Sequence, residues 1–225
     1  MLWKMLLIGF GVGRLIFVLR HYELYVSDPI SIINVRDGGF NMLAGFASAF
    51  IAGAELTRRS KALRRPLAAA TMVGCALFFG GTLLNGALTP AAAPVPMVEV
   101  RRLDGTLVSL KTYVGRPLVV SLWATWCPPC RREMPALISA QQAHPDVTFV
   151  YVNQGESMEA VASYLTTHGL HMPNVVLDPA KQLSARTGTS GYPTTLFYDA
   201  QGRLYLRHMG ELSRATLEEK INRLK

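Results

Sequence analysis

Residues 118 to 135 read LVVSLWATWCPPCRREMP. Leu118 to Trp123 is an almost unbroken apolar run, rich in β-branched residues, with the length of a strand buried on both faces. Trp126, Cys127, Pro128, Pro129 and Cys130 follow closely, and from Arg131 onward the chain is charged and helix-permissive. The two thiols therefore stand where a buried strand gives way to a helix N-terminus. First-turn N–H groups there lack intrahelical partners and the helix dipole favours negative charge, so a thiolate at Cys127 is stabilised. Pro128 suits the first helical turn, where no N–H is needed. Cys-x-x-Cys spacing brings both sulfurs onto one turn within bonding distance, and such a pair cycles between dithiol and disulfide. Two plainer readings stay open: half of a zinc site, and a purely structural disulfide. A structural zinc takes four ligands, and the remaining cysteine, Cys75, lies in a separate apolar segment.

The chain has 225 residues, a net charge of +8 and 50% hydrophobic residues, a high apolar share for a soluble protein. The excess is uneven. Residues 1–97 hold 9 Lys and Arg against 4 Asp and Glu, set between long apolar runs, whereas residues 98–225 hold 14 and 11 and have ordinary globular composition. Most of the basic excess thus belongs to the apolar half, clustered at Arg58, Arg59, Lys61, Arg64 and Arg65. Such a cluster lacks the interleaved aromatics of a nucleic-acid surface and sits between two hydrophobic runs, which points to a cytoplasmic membrane loop and away from nucleic acid.

Three runs are candidates to cross a membrane: residues 2–19, 39–56 and 66–89. The first also has features of a cleaved signal peptide. Gly9, Gly11, Gly13 and Arg14 interrupt its middle, and no small-x-small cleavage pattern follows, which favours a retained span. Arg14 inside such a span is costly unless it faces protein, water or headgroups. With the basic loop inside, the expected arrangement is an N-terminus in the cytoplasm, three transmembrane helices in residues 1–89, a stiff Pro/Ala linker at 90–97, and residues 98–225 delivered to the periplasm of a bacterial inner membrane. Within this half, residues 11–45, GVGRLIFVLRHYELYVSDPISIINVRDGGFNMLAG, resemble a fragment of the prolipoprotein diacylglyceryl transferase family. Leu43 stands where that family has its motif histidine, and the later transferase motifs have no counterpart. The resemblance is to a degenerate relic, used as an anchor. Cys75, deep in the third run, reads as an inert small hydrophobe.

In the second half, Val98–Arg102 and Thr106–Leu110 flank Asp104-Gly105 as a hairpin, and alternating strand and helix patterns follow to a closing helix capped by Ser213. Tyr192-Pro193 opens a strand at Thr194, where a proline removes a donor that would otherwise pair. Residues 123–135, WATWCPPCRREMP, and residues 188–204, GTSGYPTTLFYDAQGRL, together resemble the TlpA/ResA/CcmG group of membrane-tethered thiol:disulfide oxidoreductases. The resemblance implies an α/β thioredoxin-like fold, a central mixed sheet flanked by helices with an added N-terminal β-hairpin. It also implies a cis Pro193 against the active-site pair. Cys127, the more exposed thiol, is the expected nucleophile and Cys130 the resolving thiol, with no cofactor beyond the Cys127–Cys130 disulfide. Trp126, Pro128, Pro129 and Tyr192 are the expected contacts to substrate; Trp123 is expected to pack.

Thioredoxins place a buried aspartate where this chain has Ser121, and the TlpA-like group often carries a glutamate matched here by Glu133, one helical turn past Cys130. Glu133 is either the proton carrier of the resolving thiol or a solvated first-turn residue. The expected partners are protein thiols and disulfides and a transmembrane electron donor of the DsbD/CcdA kind. The Pro-Pro pair between the cysteines, the membrane tether and the Glu133 match favour a reductase of protein disulfides, with clients of the cytochrome c or copper-site assembly type. Open alternatives are a dithiol oxidase or isomerase, a non-catalytic copper-binding module, and a function in lipid handling led by the membrane half.

Overall fold

The computed structural model describes residues 2–26, 29–58, 61–88 and 93–224, and the chain divides into two units, Met1–Ala91 and Ala92–Lys225. The first unit is helical, with α1 (Leu2–Arg20), a short α2 (Tyr22–Val26), α3 (Met42–Leu56) and α4 (Lys61–Leu88). Helices α1 and α3 run antiparallel and meet at small residues. A Cβ placed on Gly9 would lie 2.8 Å from the Gly45 carbonyl oxygen, and one on Gly13 3.1 Å from the Asn41 carbonyl oxygen. Without a side chain at Gly9 and Gly13 the two backbones approach this closely. Further along, Met5 meets Gly53, and α4 then turns back, its Leu67 beside Gly53 and its Phe78 ring 5.6 Å from Phe46.

Arg14 faces protein. Its guanidinium donates to the carbonyls of Ser31, Ile32, Asn34 and Gly39 and to the fully buried Asp37 carboxylate at 2.9 Å. Every face of the charge is thus matched, as a buried ion requires.

Two boundaries differ from expectation. The second apolar run, expected as a span over 39–56, is a helix of 15 residues because Asn41 caps it, its side chain accepting from the Ala44 N–H at 3.0 Å. The third apolar run, expected as a span over 66–89, belongs to α4, which starts at Lys61 and carries Pro66 inside it. Lys61, Arg64 and Arg65 accordingly belong to that helix and not to a loop, and the Arg64 side chain donates to the carbonyls of Thr57 and Arg58 just past the end of α3. By length and composition, Leu2–Arg20 and Arg64–Leu84 are each apolar enough to cross a membrane. Arg59 and residues 89–92 of the expected loop and linker lie outside the described residues.

The second unit is a thioredoxin-like α/β fold. Its seven strands are β1 (Glu99–Arg102), β2 (Leu107–Ser109), β3 (Leu118–Trp123), β4 (Thr148–Gln154), β5 (Val175–Asp178), β6 (Thr194–Tyr198) and β7 (Leu204–Met209), in the order β2-β1-β5-β4-β3-β6-β7. Strands β3, β4 and β5 are parallel, and the others join antiparallel. The β1–β2 pair is the expected N-terminal hairpin. All six residues of β3 are buried, alternating between two cores: Val119 and Trp123 on one face, Leu118, Val120 and Leu122 on the other. The first face is covered by α5 (Pro128–Ala143), α6 (Met158–Thr167) and α8 (Arg214–Asn222), and Leu183 of α7 (Gln182–Thr187) packs on the second. Part of the expected linker belongs to this unit, because Val95 is buried and its N–H reaches the Gly202 carbonyl at 2.8 Å.

Candidate active site

Strand β3 ends at Trp123, and two residues carry the chain across to Trp126 and the start of α5. Glu156, just past β4, holds this crossing. Its carboxylate accepts from the Thr125 N–H at 2.7 Å, the Thr125 hydroxyl at 2.5 Å and the Asn153 side-chain amide at 2.6 Å. Sequence reasoning missed Glu156, since a polar residue after a strand carries no period that marks it.

Cys127 is the N-cap of α5, with extended backbone angles, and its sulfur accepts from the Cys130 N–H at 3.3 Å. Pro128 and Pro129 fill the first two helical positions, where their missing donors cost nothing. The same N–H that meets the sulfur in the disulfide would stabilise a Cys127 thiolate after reduction. Cys127 and Cys130 are bonded, with their Cα atoms 5.3 Å apart. Cys127 is the more exposed of the two by a narrow margin, 3% against 0%. Both cysteines are therefore nearly covered, next in the chain to a Trp126 that is 62% exposed.

The Tyr192-Pro193 bond is cis, as the family resemblance implied. Tyr192 lies edge-on to Trp126, with ring centroids 6.2 Å apart, and so flanks the Cys127 side of α5. The Tyr192 hydroxyl is 3.2 Å from that of Ser184, which donates to Gln154 at 2.7 Å. Trp123 is buried and packs against Tyr164 at 5.8 Å. Cys127, Pro128, Pro129 and Cys130 thus follow one another at the start of α5, the exposed Trp126 links this turn to Tyr192, and Pro193 continues from Tyr192 into β6.

Glu133 is not a solvated first-turn residue. It is 1% exposed and lies on the inner side of α5 with Cys130, Met134 and Leu137. Oε2 accepts from the Leu212 N–H at 3.1 Å, and the Ser121 hydroxyl approaches Oε1 at 3.5 Å. Burial pushes its carboxyl from the ordinary 4.5 up to about 8; the Leu212 N–H opposes the rise, the Glu211 charge adds to it, and the Ser121 hydroxyl opposes it. A carboxyl with this midpoint takes up and releases protons near neutral pH. Residue 121 and residue 133 together thus supply a buried carboxyl over the central strand, with the acid on the helix and a hydroxyl on the sheet.

The Redoxin family profile matches residues 90–221. The thioredoxin-like protein YneN of Bacillus subtilis is 30% identical over 131 residues, covering 56% of this chain and 76% of that protein. The thiol:disulfide interchange protein DsbE of Tatumella citrea is 31% identical over 144 residues, covering 64% of this chain and 77% of that one. Among solved structures, DsbF from MTB superposes with a TM-score of 0.54 at 26% identity, covering 58% of this chain and 99% of that one. A helix-capping Cys-Pro-Pro-Cys disulfide on this fold, in company with these relatives, leads to one assignment: the chain belongs to the Redoxin family, as a thiol:disulfide oxidoreductase of the ResA and DsbE type.

Proposed function

We propose that the chain is a membrane-anchored reductase of protein disulfides, working on the periplasmic side of a bacterial inner membrane. The observation that carries the reading is the buried Glu133 carboxyl one turn from Cys130, able to hold the proton that the resolving thiol must lose. In the reduced enzyme, the Cys127 thiolate attacks one sulfur of a substrate disulfide and the other leaves as a thiolate. Cys130 passes its proton to the Glu133 carboxylate and attacks the Cys127 sulfur. The second substrate sulfur leaves, and two electrons have moved from the dithiol to the client. Trp126 and Tyr192 flank the mixed disulfide, and Pro193, lacking an N–H, opens the strand beside which an extended client segment lies.

Re-reduction of the Cys127–Cys130 disulfide falls to a transmembrane thiol carrier, and clients of the cytochrome c or copper-site assembly type fit a tethered reductase. The antiparallel succession of α1, α3 and α4 supports the topology. It returns the chain at Gly53 to the level of Met5, keeping Arg58 and Arg64 on the side of the N-terminus, and sends Leu88 to the opposite side. The test is insulin reduction by the full chain in detergent micelles. Wild-type protein turns over, and Cys127→Ser lowers the rate by about 100-fold or more, since the nucleophile is gone. Turnover retained by that variant would remove the assignment of Cys127.

A further inference from the structure

Between Met209, the end of β7, and Arg214, the start of α8, the chain runs in an irregular segment that touches α5 at Arg132 and Glu133. Three consecutive residues of that segment each grip the site. The Gly210 N–H donates to the Pro193 carbonyl at 2.9 Å, from a backbone with φ of +109° that only glycine adopts easily. Glu211 accepts from Arg132 Nη2 at 2.7 Å and from Arg132 Nε at 3.0 Å. The Leu212 N–H donates to Glu133 Oε2 at 3.1 Å. Adjacent residues of α5 thus hold adjacent residues of the segment, Arg132 from outside and Glu133 from inside. We propose that the Arg132–Glu211 ion pair is a clasp that keeps Gly210–Leu212 in place, and so sets the pH at which Glu133 exchanges its proton.

The groups around Glu133 leave the clasp as the ion pair of consequence. The strands beneath contribute one cross-strand row, Tyr151 of β4, Ser121 of β3, Thr195 of β6 and His208 of β7. The hydroxyl of Tyr151 is engaged by the Gln141 side chain at 2.8 Å, and burial holds it neutral. Glu133's own helix contributes Cys130 and Arg132, and the segment contributes Glu211, whose side chain is 13% exposed. Removing Arg132 does two things of the same sign. The Glu211 charge loses its counter-charge and repels a Glu133 carboxylate more strongly, and the segment is freed, weakening the Leu212 N–H contact that favours the ionised form. Both keep the proton on Glu133 to higher pH.

The inference rests on Glu133 as proton carrier only for its catalytic consequence, so titration and turnover are measured separately. The Glu133 carboxyl is followed by carbon-13 NMR in the oxidised full chain in detergent micelles and is assigned by its loss in Glu133→Gln. Arg132→Gln is expected to raise the midpoint by about half a unit or more, and Arg132→Lys, which retains the charge, to recover most of the shift. The pH profile of insulin reduction should move in step. A lower melting temperature with an unmoved Glu133 midpoint would make the ion pair a surface brace and overturn the clasp. A moved midpoint with an unmoved rate profile would uphold the clasp and contradict Glu133 as the carrier of the Cys130 proton.

Discussion

Glu133 shows how far a single side chain can be read from its spacing. Its place one turn past Cys130 is visible in the sequence, but its burial is not, because Arg-Arg-Glu at the start of a helix looks solvated. What buries it comes from far along the chain: the Leu212 N–H, 79 residues downstream, and the floor of β3 at Ser121. The shift has a stability consequence of definite sign. The folded-state midpoint near 8 lies above the ordinary 4.5, so the folded protein holds a proton that the unfolded chain releases. The associated stability is complete below the ordinary value and is lost as pH rises through the folded one. Urea denaturation followed by tryptophan fluorescence should therefore show the wild type weakening between about pH 5 and about pH 9, whereas Glu133→Gln should be flatter across that window. Equal slopes in the two proteins would mean that Glu133 titrates as an ordinary surface carboxylate.

Among the elements, those with a strong period were legible and those set by tertiary partners were not. The apolar run of β3, the proline that opens α5, the hairpin at Asp104-Gly105 and the Ser213 cap of α8 follow from local chemistry. The 15-residue length of α3 depends on Asn41 acting as a cap, which an apolar count over 39–56 cannot distinguish from a helical position. The same holds for the link from β3 to α5. Hydropathy marks where the strand ends, but Glu156 supplies the acceptors that hold Thr125 and Asn153, and it comes from another strand's end. Glu156→Ala leaves those donors without their carboxylate and should cost about 1–3 kcal/mol, read from the shift of the urea midpoint. A change within experimental error would show that water replaces the carboxylate and that the crossing needs no latch.

The whole molecule was legible as two compositions, an apolar basic half and a globular half, and the structure divides the chain near that boundary, at Ala91 and Ala92. Arg14 illustrates what composition leaves out: its presence in an apolar helix was plain, whereas its partners, Asp37 and four carbonyls, come from a segment of two short 3-10 turns, Pro29–Ile32 and Val35–Asp37, and its flanks, with no periodic signal. For the chain as a working unit, the decisive quantity is the stability of the dithiol against the disulfide, to which the helix N-terminus, the Cys130 N–H and the buried carboxyl all contribute. Equilibrating the full chain in detergent micelles with glutathione buffers, and trapping its thiols at each ratio, measures that quantity directly. The account predicts a two-electron couple of Cys127 and Cys130 near the thioredoxin value of about −270 mV. A pair that never titrates, or a potential near the strongly oxidising value of about −120 mV, would contradict a reductase.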